Sequence, residues 1–479
     1  MTPTLPPYGQ SLSLLTDLYE LTMACGYWKS GLAEREAVFH LYFRHHPFGG
    51  GYTVACGLGP AVAFLRGFHF DESDLAYLRG LRAADGGALL DPAFVDALGQ
   101  FEFRCDVDAI PEGSIVFPQE PLLRVRGPLL QCQILETALL NIVNFQTLIA
   151  TKASRIVEAA QGDPVLEFGL RRAQGVDGAL SASRAAYVGG CAATSNVLAG
   201  KIYGIPVRGT HAHSWVMSFE DEAEAFEAWA RAMPNNCVFL VDTYDSIEGV
   251  RRAIKVARGL RERGYEMLGV RLDSGDLTEL SREARRLLDE AGFPDAKIVA
   301  SGDLDERAIA ELKQKGSQIA LWGVGTRLVT AHDDPSLGGV YKLGAIRGED
   351  GSWSDRVKLS DDLQKVSNPG VLQVRRFSLD GEALGDVIFD ERRDLEQLPF
   401  DVPPFAESED LLQPVIRDGL CLYEPPGLPS IRRRAAAQKA LFPQEALHKG
   451  YRVGLEKGLA AQKQQMMDRY GVSVAAGEA

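Results

Sequence analysis

Apolar and polar positions change rhythm several times along the chain. Ser13 to Trp28 carries Leu14, Leu15, Leu18, Leu21 and Thr22 at helical spacing, which predicts an amphipathic helix after a loose arm at residues 1–10. Residues 37–43 (AVFHLYF) read as a strand, and Pro47 with Gly49, Gly50 and Gly51 then demands a loop. Helical patterns at 72–83 and 91–99 precede short strand patterns at 102–108, 114–117 and 121–126, which together predict a mixed α+β domain over 1–127. Residues 128–160 form one long helical pattern, apolar on more than one face, and so predict a buried connecting helix.

From 161 to 345 the pattern becomes βα. The apolar runs PVLEF (164–168), IPVRG (205–209), CVFLVD (237–242), MLGVRLD (267–273), KIVAS (297–301) and IALWG (319–323) alternate with amphipathic helices such as 246–264, 276–291 and 305–314. Each run ends in a polar or glycine-rich loop. Chemistry-bearing residues at every strand end, rather than at one switch point, predict a TIM-like α/β barrel with its active face on that side. Residues 346–479 add strand patterns, a Pro-rich acidic stretch and two helices (428–441 and 445–468) that are expected to cap the first domain.

Composition narrows the function. Over 479 residues, 46% apolar and 24% charged positions describe an ordinary globular chain. The net charge of −14 disfavours nucleic acid or an anionic membrane as partner, so an anionic substrate needs cations focused locally. Seven scattered cysteines without a C-x-x-C predict reduced thiols and no zinc site, as in the cytoplasm. The N-terminus has no secretory pattern, and no apolar run reads as a membrane span.

Five constellations carry candidate chemistry. Arg208-Gly209-Thr210-His211-Ala212-His213-Ser214 packs a cation, two imidazoles and two hydroxyls behind a short apolar run. A neutral imidazole is a good phosphoryl acceptor near pH 7, and a carboxylate from a neighbouring strand end, Asp242 or Asp273, can fix its tautomer. His213 is the expected nucleophile and His211 a supporting residue. Glu167-Phe168-Gly169-Leu170-Arg171-Arg172 pairs a ring that can stack with guanidiniums suited to a carboxylate or phosphate. Arg271 and Asp273 interrupt a buried strand on the same side, Ser274 follows them, and Asp276 reads as the next helix cap. Ser301-Gly302-Asp303 and Gly323-Val324-Gly325-Thr326 are glycine loops of the kind that bind phosphate through backbone N–H groups. Asp17-Leu18-Tyr19-Glu20 and Arg44 lie far from the barrel in sequence; each alone reads as structural.

These motifs resemble the nicotinate phosphoribosyltransferase family over nearly the whole chain. The resemblance rests on TDLYELTM (16–23), FRHHPFGGGY (43–52), LETALLNIVNFQT (135–147), EFGLRRAQG (167–175), GTHAHSWV (209–216), VRLDSGDL (270–277), WGVGTRLVT (322–330) and GGVYKL (338–343), in the family's order. It implies an irregular TIM-like α/β barrel plus an N-terminal α+β sandwich completed by C-terminal segments, in a homodimer with the site at the interface. It implies that nicotinate and 5-phosphoribosyl 1-diphosphate give nicotinate mononucleotide and diphosphate. ATP is then the co-substrate through a phosphohistidine, matched by His213, and Mg²⁺ the cofactor. Tyr19, Thr210 and Phe168 match positions near the nicotinate ring, and Arg171 its carboxylate or a substrate phosphate. Gly302, Gly323, Gly325 and Thr326 match the ribose-phosphate cradle, and Ser367 a further phosphoribosyl contact. Ser214 and Ser274 are grouped with the substrate contacts, and Arg271 and Asp273 with His213. Asp273 and Asp303 hold either Mg²⁺ or ribose hydroxyls. His211 departs from the family, where many relatives carry an apolar or other residue. A nicotinamide-specific transferase is the nearest rival, and a sugar-phosphate-binding barrel without turnover is a rival of another class.

Overall fold

The computed structural model describes residues 12–395 and 397–470, without the side chains of Leu363 and Lys449. The arm expected at residues 1–10 lies outside the described residues. The chain divides into two compact units, Met1–Leu148 with Ser336–Ala479, and Ile149–Pro335.

The first unit is knitted from both ends of the chain. Its seven-stranded antiparallel sheet runs Trp353–Asp355, Gly339–Arg347, Glu36–Phe43, Leu123–Pro128, Asp106–Ala109, Gln413–Arg417, Leu420–Cys421. The central Glu36–Phe43 strand is buried at every position after Glu36, which explains its continuous apolar run. Gly339–Arg347 pairs with that strand from Phe43↔Gly339 to Ala37↔Ile346. The barrel boundary expected at 345 therefore moves back to 335, because an apolar run does not encode which sheet it joins. A four-stranded sheet, Glu407–Asp410, Leu372–Leu379, Glu382–Asp390 and Val453–Leu455, comes wholly from the C-terminal part.

Two helical expectations change. The connector is two helices, Leu129–Gln133 and Glu136–Ala159, and the division between units falls inside the second. By length and composition Leu129–Ala159 is enough to cross a membrane, contrary to the expectation that no run is; most of it is buried, as in a core helix. The first helix spans only Leu18–Lys29 and buries Glu20, Leu21, Ala24 and Cys25. Of the expected inner face, Leu21 is buried but Leu15 and Leu18 are exposed, together with Tyr19 and Met23.

The second unit holds a six-stranded parallel sheet. Its order is Ala193–Thr194, Val165–Glu167, Leu321–Val324, Lys297–Ala300, Gly269–Leu272, Val238–Leu240. Read cyclically this is the order of the chain, as in a singly wound barrel. Val207 adds one parallel bridge to Thr194. No backbone ladder among the described residues joins Val207 to Val238–Leu240, so strands do not close the sheet into a barrel. The intervening chain is spent on the His-bearing loop and the helices His213–Met217 and Glu222–Ala232. The Ala193–Thr194 strand was not expected, since GGCAATSN lacks any apolar run. Helices Ser246–Glu262, Leu277–Glu290 and Glu306–Gln314 follow their strands, each capped by an aspartate (Asp245, Asp276, Asp305) that accepts first-turn N–H groups. Asp276 is thus the cap that its position predicted.

Candidate active site

The strand ends of the second unit gather most of the predicted residues. His213 opens a short helix and is 40% exposed. Its Nδ1 lies 3.1 Å from Thr243 Oγ1, and its Nε2 faces Asp242 Oδ1 at 3.9 Å. Asp242 is held rigidly: its Oδ2 accepts Asp273 N–H (2.9 Å) and Ser274 Oγ–H (2.7 Å), and the side chain is only 2% exposed. Its Oδ1 is buried with no hydrogen-bond donor. Of the two carboxylates weighed as orienters, Asp242 therefore stands opposite the imidazole, while Asp273 Oδ1 accepts Ser301 Oγ–H.

Arg271 ties this cluster to the loop. Its Nη1 donates to Thr210 Oγ1 (3.1 Å) and to His211 O (3.5 Å), and Nη2 lies 3.7 Å from Asp273 Oδ1. Burial lowers its pKa; the Asp273 and Asp242 carboxylates work against that, and the Arg171 guanidinium adds to it. Arg171 and Arg172 themselves are exposed on a short 3₁₀ turn and make no ion pair among the described residues. An exposed guanidinium, Arg171, near the buried Arg271 is what an anionic ligand needs in an acidic protein.

Phe168 is held by its surroundings. A Cβ at Gly323 would sit 2.7 Å from its ring, so glycine there lets the ring lie against the Leu321–Val324 strand. Just before it, Glu167 is buried and accepts Gly169 N–H, Ser183 Oγ–H (2.8 Å) and Thr194 Oγ–H (2.5 Å). Glu167 thus shapes the loop and is not open to a ligand. Gly302 takes φ +114° with its backbone against Asp273 O, a conformation that favours glycine. Asp303 is exposed beside it, and Gly325 begins the short helix that starts at Thr326. Ser214 is exposed on the helix after His213.

Two predicted residues belong to the first unit. Tyr19 is 46% exposed, and its pKa is raised by burial and then by the carboxylates of Glu136, Glu20 and Asp17. Glu20 accepts Thr16 Oγ–H (2.5 Å), Thr137 Oγ–H (2.6 Å) and Thr137 N–H (3.0 Å), pinning the first helix to the long one. Ser367 is buried, and its Oγ accepts Lys358 N–H at 2.8 Å. Thr243 was missed from sequence; its only signal was its place directly after Asp242 at a strand end. His211, two residues before His213, is almost fully buried, and burial lowers its pKa to about 4.

Comparisons with known proteins place the chain in a family. Residues 14–144 match the nicotinate phosphoribosyltransferase (NAPRTase) N-terminal domain, and residues 164–350 match the nicotinate phosphoribosyltransferase (NAPRTase) family. The chain is 44% identical to the nicotinate phosphoribosyltransferase of Bacillus subtilis (strain 168) over 450 residues, covering 91% of this chain and 90% of that one. It is 40% identical to the Bos taurus nicotinate phosphoribosyltransferase over 462 residues, covering 84% and 83%. Among solved structures, human Nicotinic Acid Phosphoribosyltransferase superposes with a TM-score of 0.81 at 34% identity, covering 94% of this chain and 99% of that one. The Pyrococcus furiosus nicotinate-nucleotide pyrophosphorylase shares the fold, with a TM-score of 0.69 at 24% identity, covering 90% and 96%. The fold, the order of the motifs and these relatives together show that the chain belongs to the nicotinate phosphoribosyltransferase family.

Proposed function

We propose that this protein joins nicotinate to 5-phosphoribosyl 1-diphosphate, giving nicotinate mononucleotide and diphosphate, and that ATP hydrolysis drives the reaction through phosphorylation of His213. The observation that carries the ATP step is the imidazole of His213 set between a hydroxyl and a buried carboxylate with a spare oxygen. For the phosphoryl step Asp242 Oδ1, now 3.9 Å away, closes on Nε2 to accept its hydrogen, and the lone pair of Nδ1, released from the Thr243 hydroxyl, is the nucleophile. That lone pair attacks the γ-phosphorus of ATP; a P–N bond forms and ADP leaves. Phosphorylation adds roughly two negative charges beside Arg271 and the exposed Arg171, which tightens the loop on the phosphoribosyl donor.

In the transfer itself the C1–O bond breaks with oxocarbenium character and the pyridine nitrogen attacks from the opposite face. That nitrogen carries no proton, so no general base is needed and the protein's work is positioning and electrostatics. Phe168 stacks on the ring and Arg171 takes the carboxylate, which favours nicotinate over its neutral amide. The glycine loops at 301–303 and 323–326 hold the ribose phosphate through backbone N–H groups. Mg²⁺ would be held by Asp273 and Asp303, where it would offset charge on the departing diphosphate. Among the described residues no three His, Cys, Asp or Glu side chains cluster as a metal cage, and this donor set suits an ion bound largely by substrate phosphates and water.

The cyclic strand order supports an irregular barrel whose last seam is closed by side chains; the first unit is read as a sandwich built from both chain ends. The exposed apolar row Leu15, Leu18, Tyr19 and Met23 supports a homodimer in which a second copy covers this helix and the site forms at the interface. Seven free cysteines, six of them buried, fit a cytoplasmic setting.

The test is incubation with γ-labelled ATP and mapping of an acid-labile label. Label on His213 that both substrates discharge is expected, with none on His213→Ala, which retains only slow, ATP-independent transfer. ATP-stimulated turnover in His213→Ala would falsify the phosphohistidine.

A further inference from the structure

The open seam of the parallel sheet leaves an edge. On Val238–Leu240, the bonds to the next strand alternate: Val241 N–H goes to Arg271 O at 3.2 Å. Leu240 N–H points the other way, where a barrel would place another strand. His211 fills that place. Its Nε2 accepts Leu240 N–H at 3.3 Å, and the ring stands edge-on to Trp229 (5.0 Å) and near Phe226 (6.2 Å), both on the Glu222–Ala232 helix.

The rest of the loop is pinned around this contact. Asn236 Nδ2 donates to Gly209 O at 3.1 Å, and Arg271 reaches Thr210 Oγ1 and His211 O. His213 then meets Thr243 and Asp242, three and two residues beyond Leu240. Both imidazoles thus grip one segment, 240–243, at two points.

We propose that His211 is a positioning residue for the transfer reaction: its imidazole replaces the missing strand partner at Leu240 and sets the register of Thr210–His213 against Asp242 and Thr243. The role rests on the reading of His213 as phosphoryl acceptor. It requires an unprotonated Nε2. Burial against Trp229, Phe226 and Leu240 favours that form most; the Ala212 backbone pulls less strongly toward the charged ring, and Arg271 and then His213 oppose a further positive charge.

Two variants test it. His211→Leu keeps the bulk and removes the acceptor; His211→Gln offers an amide oxygen near the position of Nε2. Amide exchange at Leu240 should quicken by about tenfold in His211→Leu and stay near wild type in His211→Gln. Activity should follow the same order: kcat falls by about tenfold in the leucine variant, with the KM for nicotinate little changed, and most of it returns with glutamine. Wild-type kcat in His211→Leu overturns the proposal, as does a glutamine variant no better than the leucine one. If His211→Leu fails to fold, ¹⁵N resonances of the wild-type histidines decide: an unprotonated Nε2 on His211 at neutral pH supports the role, and an Nε2–H tautomer ends it. A missing label on His213 would sink the phosphohistidine reading while Leu240 exchange stayed as predicted, so the two failures are distinguishable.

Discussion

Both units bury a histidine against a backbone amide, and the contrast between them is instructive. In the first unit His40, on the central Glu36–Phe43 strand, accepts Leu372 N–H through Nε2 at 3.1 Å. In the second, His211 accepts Leu240 N–H. Each ring is held neutral by burial, and neighbouring guanidiniums reinforce this: Arg124 and Arg392 for His40, Arg271 for His211. His40 joins the Glu36–Phe43 strand to the Leu372–Leu379 strand of the smaller sheet, inside a core built from both chain ends. His211 sits where a parallel sheet fails to close, and the loop it holds is the loop that carries His213. The same bond therefore supports stability in one unit and alignment of chemistry in the other.

The largest effect that sharpens this contrast is expected at Asp242, which touches His213 and supports nothing in the first unit. Asp242→Asn keeps the shape but loses the charge opposite Nε2, and should cut ATP-coupled turnover by about 10–100-fold, measured as the rate of nicotinate mononucleotide formation with ATP present. A near-normal rate would break the link between the seam and the phosphoryl step.

The second effect is on stability alone. His40→Leu leaves Leu372 N–H unpaired and should cost about 1–3 kcal/mol in denaturant unfolding while leaving kcat near wild type. Its pH dependence has a definite sign. Burial holds the folded pKa of His40 well below the usual histidine value of 6.5, so the unfolded state binds the extra proton first. The contribution of His40 is complete above that value and fades as pH falls below it. The gap between wild type and His40→Leu should accordingly narrow in acid; a gap that widens would mean the ring is charged in the fold.

The smallest effect is local. Gly323→Ala pushes a methyl against the Phe168 ring, an overpacking of about 1–3 kcal/mol if the ring cannot shift. A ring that turns aside should raise the KM for nicotinate several-fold with little change in Tm. An unchanged KM would remove Phe168 from the nicotinate pocket.

How much of this was legible beforehand differs by element. The strands at Lys297–Ala300 and Gly269–Leu272 and the helices after them follow from apolar runs and Asp caps, both local signals. His213, Arg271 and Asp273 stood out because charged side chains interrupt or follow buried strands. Thr243 did not, because one hydroxyl after an aspartate is common. The first helix misled in part, since Leu21 is buried but Leu18 is exposed, and an apolar stripe does not say whether its own chain or another covers it.

By itself the sequence determined the alternation of βα units, the interleaving of candidate chemistry at strand ends, and the set of residue types available for phosphoryl and carboxylate binding. These depend on local periodicity and side-chain identity. Only the tertiary structure decided that residues 339–347 belong to the first unit, that Asp242 rather than Asp273 faces His213, and that His211 stands in for a missing strand. Each of these is a pairing between segments distant in sequence, and a backbone amide or carboxylate carries no mark in the sequence of the partner it will find.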